Sequence, residues 1–198
     1  MDEDRARSSI AQRTREHIGW WLAAGAAIAG ISALLISMTW PAEWRDNANS
    51  VCDKMWPKYS TALTEVEIAA REMIEKEEAA EKGGSPVRDA DYQAAGRIFQ
   101  AAASSLSEML GEIRDLERPM WGNLDSQVET AVDRGSAIAR SFSSAGQAQV
   151  KQKGGDAWSK EVDGEVGEHL EDAKKRMPAW LKSLAALKVD QCSSRPPD

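Results

Sequence analysis

His169 is the only histidine after His17, and it stands among Glu161, Glu165, Glu168 and Asp172. Glu165 and His169 are four residues apart, so on a helix they share a face, as two metal ligands can. A di-iron helical bundle asks for more: Glu-x-x-His on each of two helices and a Glu from each of two others. The residue three before His169 is Val166, and no further histidine follows. The cluster therefore reads as a solvated acidic face, and neither metal nor cofactor is expected. No pattern of the Ser-His-Asp kind stands out, and no glycine loop of the phosphate-cradling kind is present. The expectation is a protein that is not an enzyme.

Cys52 and Cys192 are the other residues with chemistry to offer. They suit neither a four-cysteine zinc site nor a dense disulfide scaffold. One disulfide between them would close a loop of roughly 140 residues and contribute on the order of 4 kcal/mol in the chain-entropy picture. Whether they can meet depends on the elements that carry them.

Those elements read as four helices. One 3–4 ladder runs through Trp56, Tyr59, Leu63, Val66, Ala70, Met73 and Ala80, with Glu77 its only polar member. A second runs through Tyr92, Ala95, Phe99, Ala102, Leu106, Met109, Ile113 and Leu116. A third holds Trp121, Leu124, Val128, Ala131, Gly135, Ile138, Phe142 and Ala145. The fourth is looser: Val162, Val166, Leu170, Ala173, Met177, Trp180, Leu184 and Leu187. Gly83-Gly84-Ser85-Pro86 supplies a helix stop and then a Ser cap with Pro at the first helical position. Arg118-Pro119 and Gly154-Gly155-Asp156 make the other breaks, with Asp156 capping the fourth helix. Similar lengths and short turns predict an antiparallel up-down four-helix bundle over residues 52–192, with a tail at 193–198. An extended rod of kinked helices is the alternative. An even number of antiparallel helices returns the chain to its starting end, so Cys52 and Cys192 should pair there. Pro178 interrupts the fourth ladder and should kink it, and Gly164 and Gly167 weaken the same helix.

Residues 18–40 carry no charge. About 20 apolar residues suffice for a helix to cross a bilayer core. Trp20 and Trp21 stand at one end of the run, and Trp40 and Trp44 at the other. Indole rings favour the headgroup level, so these four are expected at the two membrane interfaces. The run exceeds the roughly 7–15 apolar residues of a cleaved signal peptide, and Thr39-Trp40-Pro41-Ala42-Glu43 offers no small-residue cleavage pattern. An uncleaved signal anchor is expected. Arg5, Arg7, Arg13 and Arg15 precede it, against Arg45 and Lys54 in the stretch that follows. The bias places residues 1–17 in the cytoplasm, 41–51 as a linker on the outside, and the bundle beyond it. Gly19, Ala23, Ala26, Gly30, Ala33 and Ser37 fall on one face of the span, a candidate seam for a second helix.

The net charge of −7 sits entirely in residues 41–198, which hold 21 basic and 28 acidic side chains. That balance argues against nucleic acid as a partner. Abundant alanine with little asparagine suggests a bacterial source. The stretch Glu65–Lys82 reads as a solvated face, or alternatively an acidic docking surface. Trp158 opens the fourth helix and is a candidate recognition anchor, with a capping core residue as the alternative. The expectation is a bundle anchored in the bacterial cytoplasmic membrane. It would act outside it as an interaction or scaffold module, binding a protein partner or a second copy. Two alternatives are a ligand sensor with a pocket near Pro178, signalling through a partner, and a phage-type lysis or membrane-remodelling protein.

Overall fold

The computed structural model describes residues 42–117, 123–155 and 158–192. They form helices α1 (Ala42–Glu81), α2 (Asp89–Asp115), α3 (Leu124–Lys151) and α4 (Lys160–Ala186), followed by a 3-10 turn at Asp190–Cys192. Among the described residues there is no strand, and no helix is long and apolar enough to cross a membrane. Residues 18–40 lie outside the described set, and with them Trp20, Trp21, Trp40 and the small-residue face Gly19, Ala23, Ala26, Gly30, Ala33 and Ser37. Trp121, Asp156 and the 193–198 tail lie outside it too.

Each neighbouring pair of helices runs antiparallel. Lys58 meets Glu108 and Lys76 meets Asp91 between α1 and α2. Between α3 and α4, Arg134 Nη1 donates to the Ala179 carbonyl (3.0 Å) and Ser141 Oγ donates to Asp172 Oδ2 (2.6 Å). Cys52 and Cys192 form a disulfide, with Cα atoms 5.1 Å apart. This is the stapled end of the four-helix bundle. The turns α1–α2 and α3–α4 make the far end.

α2 and α3 bury the ladders that their sequences mark: Tyr92 through Ile113 in one, Leu124 through Ala145 in the other. Their backbones nearly touch. A Cβ on Gly146 would stand 2.7 Å from the Gly96 carbonyl oxygen, and one on Gly96 would stand 2.8 Å from that of Gly146. Gly164 and Gly167 are the opposite case, exposed on α4 with open space where a Cβ would go. Gly164→Ala and Gly167→Ala should each stabilise by up to about 1 kcal/mol through helix propensity. Gly146→Ala should destabilise by about 1–3 kcal/mol, because overpacking against backbone outweighs that gain. Denaturant midpoints of the three variants check the contrast; a stabilised Gly146→Ala would refute the close approach.

Three expectations need correction. The stretch 41–51 is not a linker, since α1 begins at Ala42. Its first turns are covered by the chain after α4, where Leu187, Val189 and Cys192 are buried and the Gln191 N–H donates to Asn49 Oδ1 (3.4 Å). Trp44, expected at a membrane interface, is instead buried in the core, 2% exposed. The stripe that α1 buries is also rotated from the expected one. Ala48, Cys52, Met55, Ala62 and Ala69 go inside with Tyr59, Val66 and Met73, while Trp56, Leu63 and Ala70 are half-buried.

The helix ends differ in detail. Gly83 stops α1 at φ +87°, with Gly84 N–H donating to the Ala79 carbonyl, as a Schellman ending requires. α2 is not capped by Ser85: it begins at Asp89, with Asp91 reaching back to the Arg88 N–H (3.3 Å). Ser159 caps α4, its side chain accepting from the Val162 N–H. Pro178 does not end α4, which continues to Ala186, and α1 likewise runs through Pro57.

Candidate functional site

Chemistry gathers at the far end. The α3–α4 turn closes around one buried side chain, Gln152, which is 2% exposed. Its Nε2 donates to the Ser159 carbonyl (2.8 Å), and its Oε1 accepts from the Ser159 N–H (2.9 Å) and the Lys153 N–H (3.2 Å). Asp89, at the start of α2, accepts from the Gly154 N–H (2.8 Å) and pairs with Lys153. These bonds hold the start of α4 against the end of α3 and the start of α2.

Glu77, the lone polar member of the α1 ladder, faces into this end. Tyr92 of α2 and Trp158 before α4 stand near its carboxylate and favour its charged form. Burial, then the neighbouring Asp163 of α4, pushes Glu77 from an ordinary 4.5 up to about 7, against the pull of those two neighbours. Burial and then Glu81 raise Asp163 in turn, and Tyr92 is raised by burial and by Glu77. Asp91 shows the reverse: hydrogen bonds from Arg88 and Lys76 hold it well below the usual carboxylate range. The sign for stability follows from linkage. A carboxyl raised on folding favours the protonated native state, so its contribution is complete below about pH 4.5 and is lost as pH rises through about 7.

Trp158 is 37% exposed. It stands beside Glu77 while part of the ring stays open to solvent. The acidic stretch that ends α1 is split by position: Glu72, Glu75 and Glu81 are exposed, whereas Glu77 and Glu78 are half-buried.

The other sequence candidates are dispersed. Glu161, Glu165 and Glu168 are exposed, and His169 is half-buried. Asp172 is held low by Arg176 Nε (2.7 Å) and the Ser141 hydroxyl. Ser141 donates to a carboxylate that Arg176 holds low, so its acceptor is a weak base toward a hydroxyl. Among the described residues no three His, Cys, Asp or Glu side chains form a group that could hold a metal ion. Near Pro178, the space between helices is filled by Trp180 and Tyr59, both 0% exposed, and by Trp56. An open groove of about 830 Å³ on the α2–α3 face is lined by Gln100, Ser104, Ser107, Ser136, Arg140 and Ser143, among others. Sequence reasoning missed Gln152, Asp163 and Tyr92 as site residues. Only Glu77 carried a signal, a single acid on an apolar ladder.

No family model matches this chain, and neither a curated protein nor a solved structure is similar to it.

Proposed function

We propose that the chain is a single-pass anchored helical bundle that works as an interaction module outside the cytoplasmic membrane of a bacterium. The observation that carries the interaction role is Trp158. Its indole stands beside the half-buried Glu77 and is partly open to solvent, at the end opposite the disulfide. Tryptophans are enriched among the residues that dominate interfaces.

The anchor rests on residues 18–40, uncharged and framed by tryptophans. They precede α1 directly, so the stapled end would face the bilayer and Trp158 would project away from it. A disulfide suits the oxidising side of that membrane. The small-residue face of the span offers a second place for a partner helix or another copy of the chain.

A photo-crosslinking residue at position 158, with position 75 as an exposed control, tests the reading in intact membranes. The expected result is one reproducible protein adduct, another copy included, from position 158 and none from position 75. Equal yields of the same adducts from both sites, or none from position 158, would overturn it.

A further inference from the structure

The outer faces of the four helices differ in charge. α1 holds ten acidic and five basic side chains, and its exposed Glu65, Glu72 and Glu75 give it an acidic surface. The first half of α4 exposes Glu161, Glu165 and Glu168. α3 is balanced, with three acidic and three basic side chains. Toward the middle of α2 and α3 charge nearly vanishes: residues 98–107 carry none, and residues 135–150 carry only Arg140. In a chain with 29% charged residues a solvated helix face ordinarily carries charge, whereas the centre of a protein interface is depleted of it.

The two uncharged stretches are neighbours, and they frame the open groove of about 830 Å³. Its floor is Ala103 and Ala139, both buried, and its walls carry Gln100, Ser104, Ser136 and Ser143. Among the described residues its lining holds no acid, and Arg140 stands exposed in it without an ion-pair partner. The close approach of Gly96 and Gly146 fixes the register of the two helices. Counting along both from that contact brings Arg140 level with Ala102, between Gln100 and Ser104, and Ser136 level with Leu106, next to Ser107.

We propose that the α2–α3 face is a homodimer interface, on which a second copy of the chain packs through the same face, the two bundles side by side in the same sense and α3 of each against α2 of the other.

Charge selects the occupant. The chain carries a net −7, and two copies meeting in the same sense through α1 or the first half of α4 would bring like charges together. At the α2–α3 face they bring together hydroxyls, carboxamides and methyl groups, which pair with their own kind as an isologous interface requires. With α3 against the second copy's α2, the levels within one copy carry over between the two. Arg140 then donates to the Gln100 carboxamide oxygen and the Ser104 hydroxyl oxygen across the interface, twice by symmetry. α3 is about 42 Å long and two helices side by side are about 20 Å wide, so the face offers roughly the 800 Å² that each partner gives to a stable interface. The same-sense arrangement rests on the proposed anchor, since both copies would enter one bilayer at their stapled ends; the choice of face does not.

Cysteine crosslinking of the full-length protein in phosphatidylcholine–phosphatidylglycerol vesicles tests the interface. Both native cysteines are held in the disulfide, so an introduced cysteine supplies the reactive thiol. Ser107→Cys and Ser136→Cys proteins, carrying tags of different size, are mixed in equal amounts and oxidised mildly. The mixed adduct should exceed either self-adduct, and the self-adduct of Thr61→Cys on exposed α1, by about fivefold or more. Adding Ser104→Glu to both chains sets two carboxylates in the interface and should cut the mixed adduct about tenfold, with helical content unchanged. A mixed adduct no stronger than the Thr61→Cys control, or one indifferent to Ser104→Glu, would overturn the interface. A dominant Ser136→Cys self-adduct would overturn the arrangement, since it sets α3 on α3. Flotation with the vesicles reads the anchor separately, and crosslinking from position 158 reads the distal site. A protein that floats and crosslinks from 158 without the mixed adduct loses the dimer and keeps the proposed function; one that gives the mixed adduct without floating keeps the face and loses the anchor.

Discussion

Full-length protein carrying Cys52→Ala and Cys192→Ala together should melt about 10 °C below the parent, a loss of about 4 kcal/mol. The separation of 140 residues sets the size of the effect. Joining positions so far apart removes many conformations from the unfolded chain, and the cost of releasing them grows with the logarithm of the loop. Native contacts add a smaller share. Both cysteines are 0% exposed, and Cys192 Sγ lies 3.9 Å from Met109 Sδ, so α2 also packs on the bridge. Alanine is the right replacement because serine would bury a hydroxyl at each site. Thermal unfolding of oxidised, reduced and double-variant protein checks the expectation. The reduced and alanine forms should melt together, well below the oxidised form. Equal melting of all three would mean that the unfolded chain gains nothing from release.

That disulfide was legible because it needs only topology: four helices, short turns and an even count. The ladders of α2 and α3 were legible for a related reason. Each has one continuous apolar stripe with charged and polar residues on the opposite face, so periodicity has a single solution. α1 has two. The Trp56–Leu63–Ala70 stripe and the Met55–Ala62–Ala69 stripe are adjacent and comparably apolar, because alanine is nearly indifferent to burial. Which goes inside is decided by where α2, α4 and the chain after α4 stand, a tertiary fact. Trp44 was misassigned on the same grounds. A tryptophan near an apolar run looks like a membrane edge, but here it lies within α1 and is buried in the bundle core. The far-end cluster was legible only as one misplaced acid. Glu77, Tyr92, Trp158 and Asp163 come from separate stretches, and no local spacing relates them. Gln152 gave no warning at all, since a glutamine in a polar turn looks the same whether it is solvated or holds the turn together.

Trp180→Ala should be the most damaging single truncation at the α1–α4 seam, at about 3–5 kcal/mol. Trp180 is fully buried and spans a gap that the backbones leave open, so nothing can collapse into its place without moving a helix. Its neighbours show how closely the site is fitted to it. A Cβ on Gly135 of α3 would lie 2.8 Å from Trp180 Nε1 and 2.7 Å from Leu110 Cδ1. The indole N–H and the Tyr59 hydroxyl have no hydrogen-bond partner among the described residues. The rings are therefore kept for volume and edge-to-face contact, in spite of buried polar atoms that cost free energy. This separates two substitutions. Trp180→Phe loses volume but also removes the unpaired N–H, so it should cost clearly less than Trp180→Ala. Gly135→Ala should destabilise the parent by about 1–3 kcal/mol through overpacking. It should cost much less beside Trp180→Phe, where the methyl group takes space that the indole vacated. Denaturant unfolding of the two single variants and the double variant completes the cycle. Additive costs for Gly135→Ala and Trp180→Phe would mean that the glycine serves something other than the indole, and that the ring does not set the width of the seam.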